Sequence, residues 1–245
     1  MLHGKKIIVV MPAYNAAGTL EQTFRDLPHD IIDAVILVDD GSSDGTAALS
    51  RELGIITIAH AKNRGYGGNQ KTCYRAALET GADVIVMVHP DYQYDPRLLL
   101  AMSSMIIDGA FDVVIGSRIL GGSAMRRGMP LWKYVSNRLL TAVQNFLLGA
   151  KLSEYHTGYR AFSRRVLEAI PWERNSEDFL FDNQILAQIL MRGFLIGEVS
   201  CPARYFPGSS SINFQKSVHY GLGVLGVSIL YRMRKMGLWK PSLFE

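Results

Sequence analysis

The sequence predicts an α/β fold, a mostly parallel central sheet with helices on both faces. Three observations predict it. Short runs rich in Val and Ile alternate with helical patterns through the first half of the chain. Glycine, proline or aspartate punctuates most of the junctions. Polar residues also gather where the apolar runs end, which is where an open α/β sheet binds its ligands.

The elements follow in order. Residues 6–11 (KIIVVM) form a buried strand that meets Pro12. Thr19 and Gln22 have capping-box spacing and open a helix to about Leu27. Strand 34–38 precedes a helix capped by Asp44 or Thr46 and ended by Gly54. Strand 55–59, helix 68–80 and strand 84–88 come next, then a helix from Pro96 and a strand at 113–115. Beyond a glycine-rich, basic stretch (121–129), expected to be a mobile loop, helices fall at 131–148, 163–169 and 178–191. A strand at 195–199 and a polar loop through Ser211 complete this part.

With 245 residues the chain is long enough to bury one substantial core. A formal net charge of +4 suits an anionic substrate or membrane surface, and no nucleic-acid partner is expected. Cys73 and Cys201 lie far apart, outside any metal-ligand spacing, and are expected as free thiols of a cytoplasmic protein. The apolar run before Pro12 is too short for a signal peptide, and no stretch reaches the ~20 apolar residues of a spanning helix.

Five strand exits carry the chemistry. They are Pro12-Ala13-Tyr14-Asn15, the run Asp39 to Thr46, Asn63 to Asn69, His89 to Pro96, and Gly116-Ser117-Arg118. Adjacent Asp39 and Asp40 repel each other and gain little from packing, so a ligand role accounts for them better than a structural one. Asp44-Gly45-Thr46 serves equally well as a turn and helix cap. The glycine-rich loop after Asn63 is neither GxxxxGK[ST] nor GxGxxG.

VVMPAYNAAGTL, VDDGSSDGT, NRGYGGNQK, HPDYQYDP and GSR, in that order, resemble the family-2 glycosyltransferases with the GT-A fold, a Rossmann-like architecture. Within that family the dolichol-phosphate mannosyltransferases and bacterial polyprenyl-phosphate transferases are the nearest likeness. The resemblance implies a catalytic domain over 1–211, with its nucleotide-sugar half at 1–118 and its acceptor half at 119–211. It implies a nucleotide-sugar donor held by Pro12, Tyr14, Asn15, Asp39, Asp40, Gly65 and Lys71. It implies a divalent metal, Mn²⁺ or Mg²⁺, on Asp91 and Gln93, with Arg118 and Arg204 facing the acceptor phosphate or the donor diphosphate. Catalysis would rest on Asp91, Arg118 and Arg204, transferring a hexose with inversion to a polyprenyl phosphate.

One departure stands out. His89 occupies the place of the first acid in the family's metal motif. Altered metal choice, a site resting on Asp91 and Gln93 alone, and loss of catalysis are the three readings. In the acceptor half, Arg126, Arg127, Lys133 and Arg138 form either a solvated face or a phosphate cradle. The segment Glu154 to Arg160 resembles one that packs near donor sugar and acceptor, which makes His156 a further acceptor-site candidate. A saccharide hydroxyl acceptor would instead need a base, for which Asp178 and Asp182 are available. The last segment, 212–245, mixes Arg232, Arg234, Lys235 and Lys240 with Leu238 and Trp239. It is expected to be an amphipathic helical extension on a membrane face, on a membrane partner protein, or against the domain or a second subunit.

Overall fold

In the computed structural model, residues 1–205 and 214–245 are described. The loop to Ser211 and the 211/212 boundary lie partly or wholly outside them. A seven-stranded sheet has the order β3-β2-β1-β4-β6-β5-β7. Its strands are β1 (Ile7–Ala13), β2 (Ala34–Asp39), β3 (Ile56–Ala59), β4 (Val84–Met87), β5 (Val113–Ser117), β6 (Arg160–Ser163) and β7 (Ile196–Ser200). β1 to β4 are mutually parallel, while β6 runs antiparallel to both β4 and β5. β5 therefore points the same way as β1 to β4. The five polar exits share one edge.

Alternation along each strand separates two cores. Ile8, Val10, Ile36, Val38, Ile85 and Met87 face one layer. It contains α3 (Tyr66–Glu79), α6 (Arg164–Ala169), α7 (Phe181–Met191) and part of α8 (Phe214–Lys235). Ile7, Val9, Met11, Leu37, Val84 and Val86 face the other, with α1 (Ala17–Arg25), α2 (Thr46–Glu52) and α4 (Leu99–Ile107). The remaining helix, α5 (Leu131–Leu148), lies beside α8.

Several expected elements are corrected. α1 starts at Ala17 with no side-chain cap, so Thr19 and Gln22 form no capping box. Thr19 Oγ1 instead donates to the Pro90 carbonyl at 2.6 Å, tying α1 to the β4 exit. Asp44 does serve the start of α2, accepting the Thr46 amide at 3.0 Å. The region expected as helix 163–169 is preceded by an unanticipated strand, β6. α8 is longer than its apolar stretch, and Val224, Val227, Ser228 and Tyr231 bury one side of it. Among the described residues no helix is long and apolar enough to cross a membrane.

Candidate active site

At the β1 and β2 exits, short polar links fix the loops. Asn15 sits in left-handed backbone (φ 51°). Its Oδ1 accepts the Ser43 amide at 3.0 Å, and its own amide donates to Ser42 Oγ at 2.8 Å. Asn69, near the start of α3, donates to the carbonyls of Ala13 and Val38. Pro12 is buried as the penultimate residue of β1, and Tyr14 is 59% exposed at the rim. Asp40 accepts the amides of Arg64 (2.8 Å) and Gly65 (3.0 Å) and contacts His60 Nδ1 at 2.7 Å. It orders the neighbouring turn.

Asp39 is arranged differently. Its Oδ2 accepts the Ser42 amide at 3.1 Å, while Oδ1 is buried with no hydrogen-bond partner among the described residues. A buried carboxylate oxygen is costly to leave unpaired, which makes Asp39 Oδ1 a candidate acceptor for a ligand's donor.

Two residues expected at the nucleotide are engaged elsewhere. Lys71 is buried, and its ammonium donates to the Asn175 carbonyl (2.6 Å) and to Glu177 Oε1 (2.5 Å). Gly65 gives its amide to Asp40, and a Cβ there would lie 2.6 Å from the Glu177 carbonyl oxygen. That same carbonyl accepts the amides of Gly67 (2.7 Å) and Gly68 (3.2 Å). The N-terminus of α3 is thus closed by the 175–177 segment rather than open to a phosphate.

The β4 exit places His89, Asp91 and Gln93 on the wall of one cavity of about 390 Å³. Asp91 Oδ1 accepts the Gln93 amide at 3.1 Å. His89 stacks on Tyr66, with ring centroids 5.6 Å apart, and its Nε2 lies 3.2 Å from the Tyr66 hydroxyl. Tyr66 donates to Asp182 Oδ2 at 2.8 Å, and Gln70 Nε2 donates to Asp182 Oδ1 at 3.1 Å. Burial pushes the His89 imidazole below its ordinary pKa, against the pull of Asp91 and Asp182.

The donor set fits a divalent cation in one specific sense. No group of three His, Cys, Asp or Glu residues able to hold a metal exists among the described residues. To a divalent cation the cavity wall would offer an incomplete shell, the Asp91 carboxylate and the Gln93 amide oxygen with the His89 imidazole beside them. A cation that completes its coordination with diphosphate oxygens and water suits that arrangement.

Across the cavity, Arg118 and Glu154 form a buried ion pair. The Arg118 backbone amide and Nε reach Glu154 at 2.8 and 2.9 Å, and Nη2 contacts both Glu154 and the His156 carbonyl. Burial opposes the charge on Glu154, but Arg118 outweighs it and holds the carboxyl below its ordinary value. Arg118 lines the cavity with its charge already compensated.

Lys133, also on the cavity wall, forms no salt bridge among the described residues and sits 5.7 Å over the Tyr205 ring. Burial, then the charge of Arg118, lowers its pKa. The expected cradle of Arg126, Arg127 and Arg138 is not on that wall. Arg126 and Arg127 are exposed, and Arg138 donates to the Ser153 carbonyl at 2.6 Å. Lys133 reads in the sequence only as one of four clustered cations; its helical phase on α5 separates it from Arg138, while Arg126 and Arg127 precede the helix.

His156 does line the cavity. Its Nδ1 lies 3.0 Å from the Tyr220 hydroxyl, its Nε2 is buried without a partner among the described residues, and burial pushes its pKa down to about 4. Arg204, expected to be catalytic, is not among the residues that line the cavity; its guanidinium lies 4.2 Å over the Tyr92 ring and its Nη2 3.6 Å from Asp95. Its Nη1 is buried with no hydrogen-bond partner among the described residues. Ser217, Val218 and Tyr220 of α8 complete the wall, so the C-terminal helix is part of the site rather than an appendage.

A mostly parallel sheet that gathers its polar exits on one edge, beside a cavity lined by Asp91, Arg118 and Lys133, is an arrangement able to hold a polar, anionic ligand. Residues 8–170 match the profile of Glycosyl transferase family 2, and the chain belongs to that family and is a glycosyltransferase. It is 29% identical, over 95% of its length and 97% of the relative's, to the UDP-N-acetylglucosamine–dolichyl-phosphate N-acetylglucosaminyltransferase of Methanococcus voltae. It is also 29% identical to the dolichyl-phosphate hexose transferase of Haloferax volcanii, covering 93% of this chain and 96% of that one. The fold is similar to that of glucosyl-3-phosphoglycerate synthase from Mycobacterium tuberculosis solved with UDP, with a TM-score of 0.71 at 20% identity. That similarity covers 97% of this chain and 82% of the synthase.

Proposed function

We propose that this glycosyltransferase moves a hexose from a UDP- or GDP-linked donor to a polyprenyl phosphate, with inversion, at the cytoplasmic face of a membrane. One observation carries the reading. One cavity is lined by Asp91, Gln93 and Lys133 together with apolar Trp132, Leu139, Leu140 and Val218. That combination suits a diphosphate, an acceptor phosphate and a prenyl chain together. The dolichyl-phosphate transferases among its relatives support the same choice.

Asp39 Oδ1 would accept a hydrogen bond from the nucleobase, and the exposed Tyr14 ring would help to line the base pocket. A divalent cation, Mn²⁺ or Mg²⁺, would be held by Asp91 and Gln93, with His89 adjacent; bound there, it offsets charge on the leaving diphosphate. Structures of the M. tuberculosis synthase with Mn²⁺ and UDP, or with Mg²⁺ and UDP, support such a site in this fold. Lys133 would neutralise the acceptor phosphate and Arg118 would shape its pocket. A phosphate oxygen then bonds to the anomeric carbon as the bond from that carbon to the diphosphate oxygen breaks. The acceptor is already anionic, so alignment and charge compensation suffice.

A hydroxyl acceptor is less well served. Asp182 already accepts from Tyr66 and Gln70 and pairs with Arg160 at 3.5 Å, and Asp178 is exposed and accepts the Phe179 amide. Neither carboxylate stands ready as a base.

Membrane contact would come through α5 and α8. Leu131, Val135, Leu139 and Phe146 form an exposed apolar stripe on α5, and Leu222 and Ile229 are exposed on α8. Arg126, Arg127, Arg232, Arg234 and Lys235 supply nearby positive charge in sequence, which suits an anionic bilayer. The function is tested by supplying a panel of UDP- and GDP-sugars with Mn²⁺ or Mg²⁺, and either polyprenyl phosphate or oligosaccharide acceptors. Transfer to the lipid phosphate is expected; transfer only to a saccharide hydroxyl would overturn the reading.

A further inference from the structure

The imidazole of His89 is confined by Tyr66 and Gly158. It stacks nearly parallel on Tyr66, at an interplanar angle of 8°. Behind it, a Cβ added at Gly158 would lie 2.4 Å from Nε2, so the ring occupies space that only a glycine leaves open. Its Nε2 meets the Tyr66 hydroxyl at 3.2 Å.

Hydrogen-bond direction settles which ring nitrogen carries the proton. The Tyr66 hydroxyl has one proton, and that proton goes to Asp182 Oδ2 at 2.8 Å, since a carboxylate only accepts. The contact with His89 must therefore run the other way, from Nε2–H to the Tyr66 oxygen. Asp182 is held in turn by Gln70 Nε2, and its own backbone carbonyl accepts Arg160 Nη1 at 2.7 Å. With Nε2 protonated in the neutral ring, the lone pair resides on Nδ1. No described residue hydrogen-bonds Nδ1, and the ring lines the cavity together with Asp91 and Gln93.

We propose that Tyr66 and Asp182 are positioning residues that lock His89 as the Nε2–H tautomer, offering Nδ1 to the divalent cation. The inference rests on the metal-dependent reading of the cavity given above. A metal-binding histidine is commonly oriented by donating its other N–H to a second group, and here a tyrosine relays that role to a carboxylate. A nitrogen donor in place of a carboxylate favours Mn²⁺ over Mg²⁺, because Mg²⁺ strongly prefers oxygen. Where the family pattern has an acid, this chain has an imidazole with its own built support.

Two measurements on the intact protein test this. Long-range ¹H–¹⁵N correlation spectra, with His89 assigned by the missing signal in His89→Gln, report the tautomer without metal or nucleotide. Protonation at Nε2 is expected; protonation at Nδ1 would overturn the proposal. Mn²⁺ binding by electron paramagnetic resonance and Mg²⁺ binding by calorimetry, each with UDP or GDP present, then compare wild type with Tyr66→Phe. That variant should weaken Mn²⁺ about 10- to 100-fold, as expected for loss of an outer-shell partner, and leave Mg²⁺ nearly unchanged. Equal losses for both ions would contradict the proposal. Failure of either nucleotide to bind wild type would count against the transferase reading alone, since the tautomer is read without it.

Discussion

Arg118 and Glu154 lock two distant loops together. The Arg118 side chain and backbone amide both close on one carboxylate that is wholly buried, and Asn137 of α5 donates to the same carboxylate at 2.8 Å. The β5 exit, the 153–158 segment and α5 therefore meet at a single ion pair. Removing one partner leaves the other charge buried and alone, which costs about 3–5 kcal/mol. Glu154→Ala should lower unfolding stability by that amount in urea denaturation and reduce turnover through loss of the cavity wall.

Asp39→Asn tests the nucleotide end. The substitution removes the charge from the unpaired Oδ1 and nearly preserves side-chain shape. A hydrogen bond to a charged group contributes roughly 1.5–3 kcal/mol, so calorimetry should show UDP or GDP affinity falling about 10- to 150-fold. The melting temperature should stay close to that of wild type.

His156 gives the protein a pH dependence with a definite sign. Its pKa is about 4 in the fold against 6.5 for an unperturbed side chain, because burial outweighs the pull of Glu154 while Arg118 and Arg160 lower it further. Between those values the unfolded chain binds more protons, so this group's contribution to stability declines as pH falls from 6.5 towards 4. The upper bound is about 3 kcal/mol. Unfolding of His156→Gln followed across that range should show a shallower slope than wild type; an identical slope would place the titration elsewhere.

The α5 stripe gives a membrane test. Leu139→Ser with Phe146→Ser removes two side chains that are 65% and 77% exposed, so the fold should be little affected. Each large apolar side chain contributes about 1.5–3 kcal/mol on leaving water, so co-sedimentation with phosphatidylglycerol vesicles should weaken at least tenfold. Unchanged binding would remove α5 from the membrane contact.

The parallel half of the fold was legible because its strands are buried on both faces and read as continuous Val and Ile runs, as at Ile7 to Val10. β6 was hidden by Arg160. A fully buried arginine breaks the apolar pattern, yet its guanidinium is satisfied by the carbonyls of Thr157, Asp182 and Tyr155. The polar exits could be listed from sequence because loop chemistry is local. Which side chains turn towards the cavity could not, because that depends on contacts far along the chain. Lys71 turns to residues 175 and 177, and Arg118 to Glu154. Tyr66 stands at a position that reads as part of a glycine-rich turn, and only the arrival of α7 gives its hydroxyl the partner Asp182.

The most direct measurement compares one prenyl chain carrying two head groups. Wild-type protein is given its cognate nucleotide-sugar and divalent metal with either polyprenyl phosphate or the matching polyprenol, and the product is analysed by mass spectrometry and by NMR at the anomeric centre. Sugar should appear on the phosphate alone, with the anomeric configuration opposite to that of the donor. Equal transfer to the alcohol, or retention of configuration, would contradict a site that works by aligning an anion rather than by activating a hydroxyl.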